Sequence, residues 1–162
     1  MYSKHFIKVA SVTPKLKVGN PTYNVKEMLE ILQNVRSSIT VFPELGITAY
    51  TCNDLFYQES LLTSVKENIA LLLEKNPYTG ILVIGAPLEI DGVLYNCAFV
   101  IQKDKILGVV PKFYLPNTGE FYEKRWFQSG FDIVESIQSV KYLNQTVPFG
   151  HLVFKDVSCL LY

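Results

Sequence analysis

The chain has 162 residues, 49% of them hydrophobic and 13% aromatic, and its 15 lysine and arginine residues are balanced by 15 aspartate and glutamate residues. That length fits one domain with a substantial core, and a formal net charge of zero offers no field to draw in nucleic acid or an anionic membrane. No apolar run approaches the roughly 18 residues of a membrane span, the N-terminus lacks a leader pattern, and three cysteines at unpatterned spacing suggest free thiols, so the expected location is the cytoplasm.

Phe6 to Val12 reads as a first strand, followed by the loop TPKLKVGNP. Asn24 is the expected N-cap of an amphipathic helix that runs to about Arg36. Glu27 lies three residues on, and Val25, Met28, Leu29, Leu32 and Val35 recur at helical spacing. The β-branched run Ile39 to Phe42 then predicts a buried strand that Pro43 closes, which places Glu44 at its carboxyl end. In open α/β sheets that end is where ligands bind. A second helix is expected from Gln58 to Lys75, stopped by Asn76-Pro77.

Ile81 to Ile84 reads as another buried strand, closed by Gly85-Ala86-Pro87. Hairpins follow: Asp91-Gly92 as a turn, Leu94 to Gln102 as a strand, Lys103 to Lys105 as a charged turn, and Ile106 to Val110 as a strand ending at Pro111-Lys112. Phe113 to Gln128 is aromatic and charged without a clean period, which suggests a loop with a short helix around Glu120 to Arg125. Val147 to Phe154 and Val157 to Tyr162 read as late strands. The last of these is as apolar as a central strand and has nothing after it to cover it, so the 162 residues are expected to form part of a larger domain.

PELG around Glu44, then Tyr50, Cys52 and Asp54-Leu55-Phe56, and later PKFYLPNTGEFYEKRWF from Pro111, resemble the nitrilase-like glutaminase domain of glutamine-dependent NAD synthetases. PEL and PK alone indicate the wider nitrilase superfamily, and the YxCxDLF and EFYEKRWF stretches narrow it to the synthetase branch. The resemblance implies an αββα sandwich, incomplete here on its C-terminal side, formed by residues 1–162 as a single partial carbon-nitrogen hydrolase domain. It also implies glutamine as substrate, homo-oligomers, and a synthetase domain outside this chain that uses ATP and Mg2+. No cofactor or metal is expected in this segment. Two rivals are a different amidohydrolase of the superfamily and a non-catalytic sandwich used for binding or oligomerisation.

Amide hydrolysis through a covalent intermediate needs a nucleophile, a base and a group that stabilises the oxyanion. Glu44 suits the base, expected in an apolar pocket, and Lys112 suits the oxyanion role. By resemblance Glu120 is the additional glutamate that orients the lysine and the substrate. Thr118, where the family commonly has tyrosine, and Phe121 are the substrate-side residues. The resemblance also matches Cys52 to a cysteine that is not the nucleophile. Cys97 and Cys159 lie inside apolar strands, where thiols are usually inert, so the nucleophile is expected beyond Tyr162 and the fragment is expected to be inactive alone. The family usually has glycine at the positions of Ala49 and Asn53. Asn53 tolerates a left-handed turn, whereas Ala49 would strain one.

Overall fold

A computed structural model describes residues 6–133 and 138–155. The strand expected from Val157, together with Cys159, lies outside the described residues. The elements in chain order are β1 (Val9–Ser11), α1 (Pro21–Leu32), β2 (Ile39–Val41), a 3-10 segment (Tyr50–Tyr57), α2 (Glu59–Lys75), β3 (Ile81–Ile90), β4 (Val93–Gln102), β5 (Lys105–Pro111), the one-turn helix α3 (Glu123–Trp126), β6 (Ser139–Tyr142) and β7 (Gln145–Pro148). Strands β1 to β5 form one mixed sheet in sequence order. The β1–β2 and β2–β3 pairs are parallel and linked by the two long helices, and the β3–β4 and β4–β5 pairs are antiparallel hairpins. The fold is mixed α/β, the class that the resemblance implies.

Residues opposite one another in register share a face of the sheet. Leu82, Ile84, Ala86 and Leu88 of β3 stand opposite Ile101, Phe99, Cys97 and Tyr95 of β4. These side chains join Met28, Leu32, Val65, Ile69 and Leu72 of the helices in one core. The β6–β7 hairpin covers the same face farther along, where Tyr142 packs on Phe99 and Phe149 on Tyr95. Asn96, Ala98 and Gly85 therefore belong to the opposite face, away from the helices.

Several boundaries differ from the sequence reading. Helix α1 begins at Pro21, because Asn20 supplies the cap by accepting the Tyr23 N–H at 2.9 Å and proline suits the first helical position. Asn24, expected as the cap, is buried instead. Its side chain bonds both backbone groups of Lys17 and donates to the Ile47 carbonyl, which ties the loop after β1 to the segment that follows β2. The helix stops at Leu32, and the Arg36 guanidinium turns back onto the carbonyls of Gln33 and Val35. Strand β3 continues through Pro87 to Ile90. Its partner β2 ends at the Val41–Val83 pair, so at Pro87 that edge is open and the missing N–H breaks no ladder. The segment expected as a strand from Val147 is the short β7, after which Phe149 bridges to Val109.

Candidate active site

Strands β2, β3 and β5 run in one direction, so the carboxyl ends of β2 and β5 lie at the same end of the sheet. Three strand spacings, about 14 Å, separate those ends. The turn after β2 spans the gap by folding over β3 at Gly85, where the Ile47 N–H donates to the Gly85 carbonyl at 3.1 Å. A Cβ on Gly85 would stand 2.7 Å from the Pro43 oxygen and 2.8 Å from the Glu44 carbonyl carbon, and closer still to the Leu45 nitrogen. The glycine ends no strand; it allows two backbones to touch. The turn is also strained: Leu45, Ala49 and Asn53 all carry positive φ, at 50°, 65° and 49°.

This crossing delivers Glu44 to Lys112, the first residue after β5. The Lys112 Nζ donates to Glu44 Oε1 at 2.7 Å and to Glu123 Oε1 at 2.8 Å. Asn96 of β4 holds both members of the first pair. Its amide donates to the same Glu44 Oε1 at 2.6 Å, and its carbonyl accepts the Lys112 backbone N–H at 2.7 Å. The Tyr50 hydroxyl donates to Glu123 Oε1 at 2.6 Å. Glu123 is 2% exposed in its side chain, and its buried Oε2 has no hydrogen-bond partner among the described residues. Burial opposes the charge on Lys112, but the hydrogen bonds to Glu123 and Glu44 and their negative charges outweigh it, so the ammonium is held above the ordinary lysine range. Burial, with the Glu123 hydrogen bond behind it, also pushes the Tyr50 hydroxyl well up.

The glutamate that the structure brings to Lys112 is Glu123, whereas the resemblance implied Glu120. Glu120 lies in an exposed turn with Thr118 and Phe121, closed by the Phe121 N–H donating to the Thr118 carbonyl, and no ion pair joins it to Lys112. Glu123 opens α3 and shares an inward face with Phe127, four residues on and likewise buried. That i, i+4 pair was the available signal. Glu44 is 43% exposed, among polar neighbours rather than in the expected apolar pocket. Asn96, a buried amide inside the apolar strand LYNCAFVI, was passed over, although polarity in such a run marks a group that must find partners.

Neither described cysteine faces this cluster. Cys97 points to the helix side of the sheet, opposite Ala86, and full burial pushes its thiol well up. Cys52 is buried too, its thiol donating to the Thr48 carbonyl at 3.1 Å, and burial again raises it. A groove of about 820 Å³ is lined by Phe113 to Pro116 and by residues between Lys124 and Asp132, and none of Glu44, Lys112 or Glu123 lines it. Among the described residues no three His, Cys, Asp or Glu side chains are grouped to hold a metal ion, and no helix is long and apolar enough to cross a membrane.

Residues 8–151 match the carbon-nitrogen hydrolase family. Over 135 residues the chain is 36% identical to the glutamine-dependent NAD(+) synthetase of Mycobacterium leprae, covering 81% of this chain and 20% of that protein. Its structure is similar to that of a glutamine-dependent NAD(+) synthetase from Cytophaga hutchinsonii, with a TM-score of 0.80 and 26% identity over 93% of this chain and 26% of that one. The Acinetobacter baumannii enzyme of the same name, in complex with ADP, superposes with a TM-score of 0.69 and 31% identity, covering 86% and 26% of the two chains. The chain thus spans about a fifth of the length of the curated relatives it matches.

Proposed function

The chain belongs to the carbon-nitrogen hydrolase family, and on that premise we propose that it supplies the acid–base and oxyanion groups of the glutaminase centre of a glutamine-dependent NAD synthetase. In this reading the centre releases ammonia from glutamine, and a synthetase domain outside these residues, with ATP and Mg2+, uses it to amidate deamido-NAD. Cytoplasmic residence and homo-oligomers belong to the same proposal. The observation that carries it is Lys112 held between Glu44 and Glu123, since such an arrangement suits covalent amide hydrolysis.

A thiol outside the described residues attacks the amide carbon of glutamine, and Glu44 takes its proton as the C–S bond forms. Both donors on Glu44 use Oε1, so Oε2 is left to act as the base. Lys112 gives two of its three N–H bonds to the carboxylates and has one left for the oxyanion. Glu123 Oε2 accepts from the substrate amide, which gives its buried oxygen a partner. When the intermediate collapses the C–N bond breaks, and Glu44 returns the proton to the departing ammonia. Water, with its proton taken by Glu44, then attacks the thioester carbon; the C–S bond breaks, and Glu44 returns the proton to the departing sulfur, leaving glutamate and free thiol. Thr118 and Phe121 remain substrate-side candidates in the exposed turn.

The test is ammonia release from glutamine. The 162-residue chain alone should give none above background, because Cys52 and Cys97 are buried away from the base. The polypeptide of the whole open reading frame containing these residues should turn over, and Glu44→Gln or Lys112→Met should each lower its kcat by about 10³-fold or more. Turnover by the 162-residue chain that vanishes in Cys159→Ala would place the nucleophile inside it. Undiminished turnover in Lys112→Met of the longer polypeptide would remove the reading.

A further inference from the structure

The YxCxDLF and EFYEKRWF stretches meet in space, at a point away from the Glu44–Lys112 contact. Asp54 accepts the Arg125 guanidinium through both oxygens, Nε to Oδ1 at 2.7 Å and Nη2 to Oδ2 at 2.8 Å, and its Oδ1 also accepts the Trp126 indole N–H at 2.9 Å. The Tyr57 hydroxyl donates to the Arg125 carbonyl. Beneath this surface layer the Phe56 ring packs edge-on against Phe127 at 4.9 Å and tilted against Trp126 at 6.0 Å. All of these contacts converge on α3, which has four residues and no side-chain cap. A helix that short has no stability of its own, so its contacts set its position.

We propose that Asp54 is a positioning residue, which clamps α3 from outside so that Glu123 is held against Lys112. The inference rests on the hydrolase reading of the Glu44–Lys112–Glu123 cluster. Arg125 and Trp126 follow Glu123 by two and three residues, so at about 100° per residue Arg125 projects from the side of the turn opposite Glu123. The fork therefore grips the outer side while the Glu123 carboxylate points inward. Tyr50, four residues before Asp54, grips that carboxylate from within. One segment, Tyr50–Tyr57, thus holds both sides of α3. A bidentate guanidinium–carboxylate pair fixes orientation as well as distance, as a positioning role requires and a single lysine contact does not.

The experiment follows the titration of the Lys112 ammonium by NMR in this chain, in the wild type and in Asp54→Ala, Asp54→Asn and Arg125→Lys. Glu30→Gln, in the exposed Lys26–Glu30 pair, is the control. If the clamp sets Glu123, the Lys112 midpoint falls by roughly half a pH unit or more in Asp54→Ala and in Arg125→Lys. Asp54→Asn, which keeps an acceptor for Trp126, should fall by less, and the control should not move. Should Asp54→Ala fail to fold, Arg125→Lys, which keeps the charge and loses the fork, decides the matter. A lowered Tm with an unmoved Lys112 midpoint in the folded variants would overturn the proposal and leave Asp54 as ordinary surface cement. Glutamine turnover by the whole reading frame is measured alongside. A wild type without turnover counts against the glutaminase reading alone, while the titration still decides the clamp.

Discussion

Lys112 stands between an exposed carboxylate and a buried one, and Lys112→Met should reveal the difference. Opposite unit charges at the 2.8 Å Lys112–Glu123 separation attract by roughly 6 kcal/mol at an effective dielectric of about 20. Most of that offsets the cost of taking both groups out of water. Removing the ammonium leaves Glu123 desolvated, with the Tyr50 hydroxyl as a remaining donor. Orphaning one member of a buried pair costs about 3–5 kcal/mol, and Lys112, 27% exposed, belongs near the lower end of that range. Adding Glu123→Gln to Lys112→Met takes away the orphaned charge and should recover about 2 kcal/mol. Adding Glu44→Gln instead should recover less than about 1 kcal/mol, because Glu44 is 43% exposed and regains water when its partner goes. Burial thus makes Glu123, and not the more exposed Glu44, the partner whose neutralisation rescues the fold. Urea midpoints at constant m measure both cycles, and 1 M salt should shrink the Glu44 coupling far more than that of Glu123. Equal couplings, or double variants additive with their singles within about 0.5 kcal/mol, would refute the reasoning.

The raised Lys112 value has a pH signature of fixed sign. Its contribution stands in full below the unfolded lysine pKa of about 10.4 and is lost as pH rises from there through the higher folded value, so across that interval wild type should lose urea resistance more steeply than Lys112→Met. Parallel curves would show that the ammonium is not coupled to folding. Gly85→Ala should destabilise by about 3 kcal/mol, since the new methyl meets backbone at Pro43 to Leu45 rather than a side chain that could give way. An unchanged midpoint in thermal melts would mean that the crossing over β3 is looser than the distances imply. Ala49→Gly should stabilise by about 0.5–1 kcal/mol, because φ 65° with ψ 156° suits glycine, and part of the relieved strain offsets the added freedom of the unfolded chain. A fall in Tm would show that the lost methyl outweighs the strain.

The order of strands and helices was legible in the sequence because it rests on local periodicity: a helical stripe in each of α1 and α2, β-branched runs in the strands, and Asp91-Gly92 at the hairpin. Glu44 and Lys112 could be located as strand-end residues for the same reason. Ends and partners were harder, because they depend on groups distant in the chain. Asn24 looked like a cap until Lys17 and Ile47 claimed its amide, and Gly85 looked like a strand end until the Pro43 to Leu45 turn crossed it. The choice between Glu120 and Glu123 was tertiary in the same way. Both carboxylates lie in one aromatic stretch without a clean period, and only the packing of α3, with Phe127 buried beneath it and Asp54 gripping it from outside, turns one inward to Lys112 and leaves the other in water. Sequence patterns report which face of an element is apolar, whereas a buried ion pair is set by where two elements meet, and that is decided when the sheet and its turns pack.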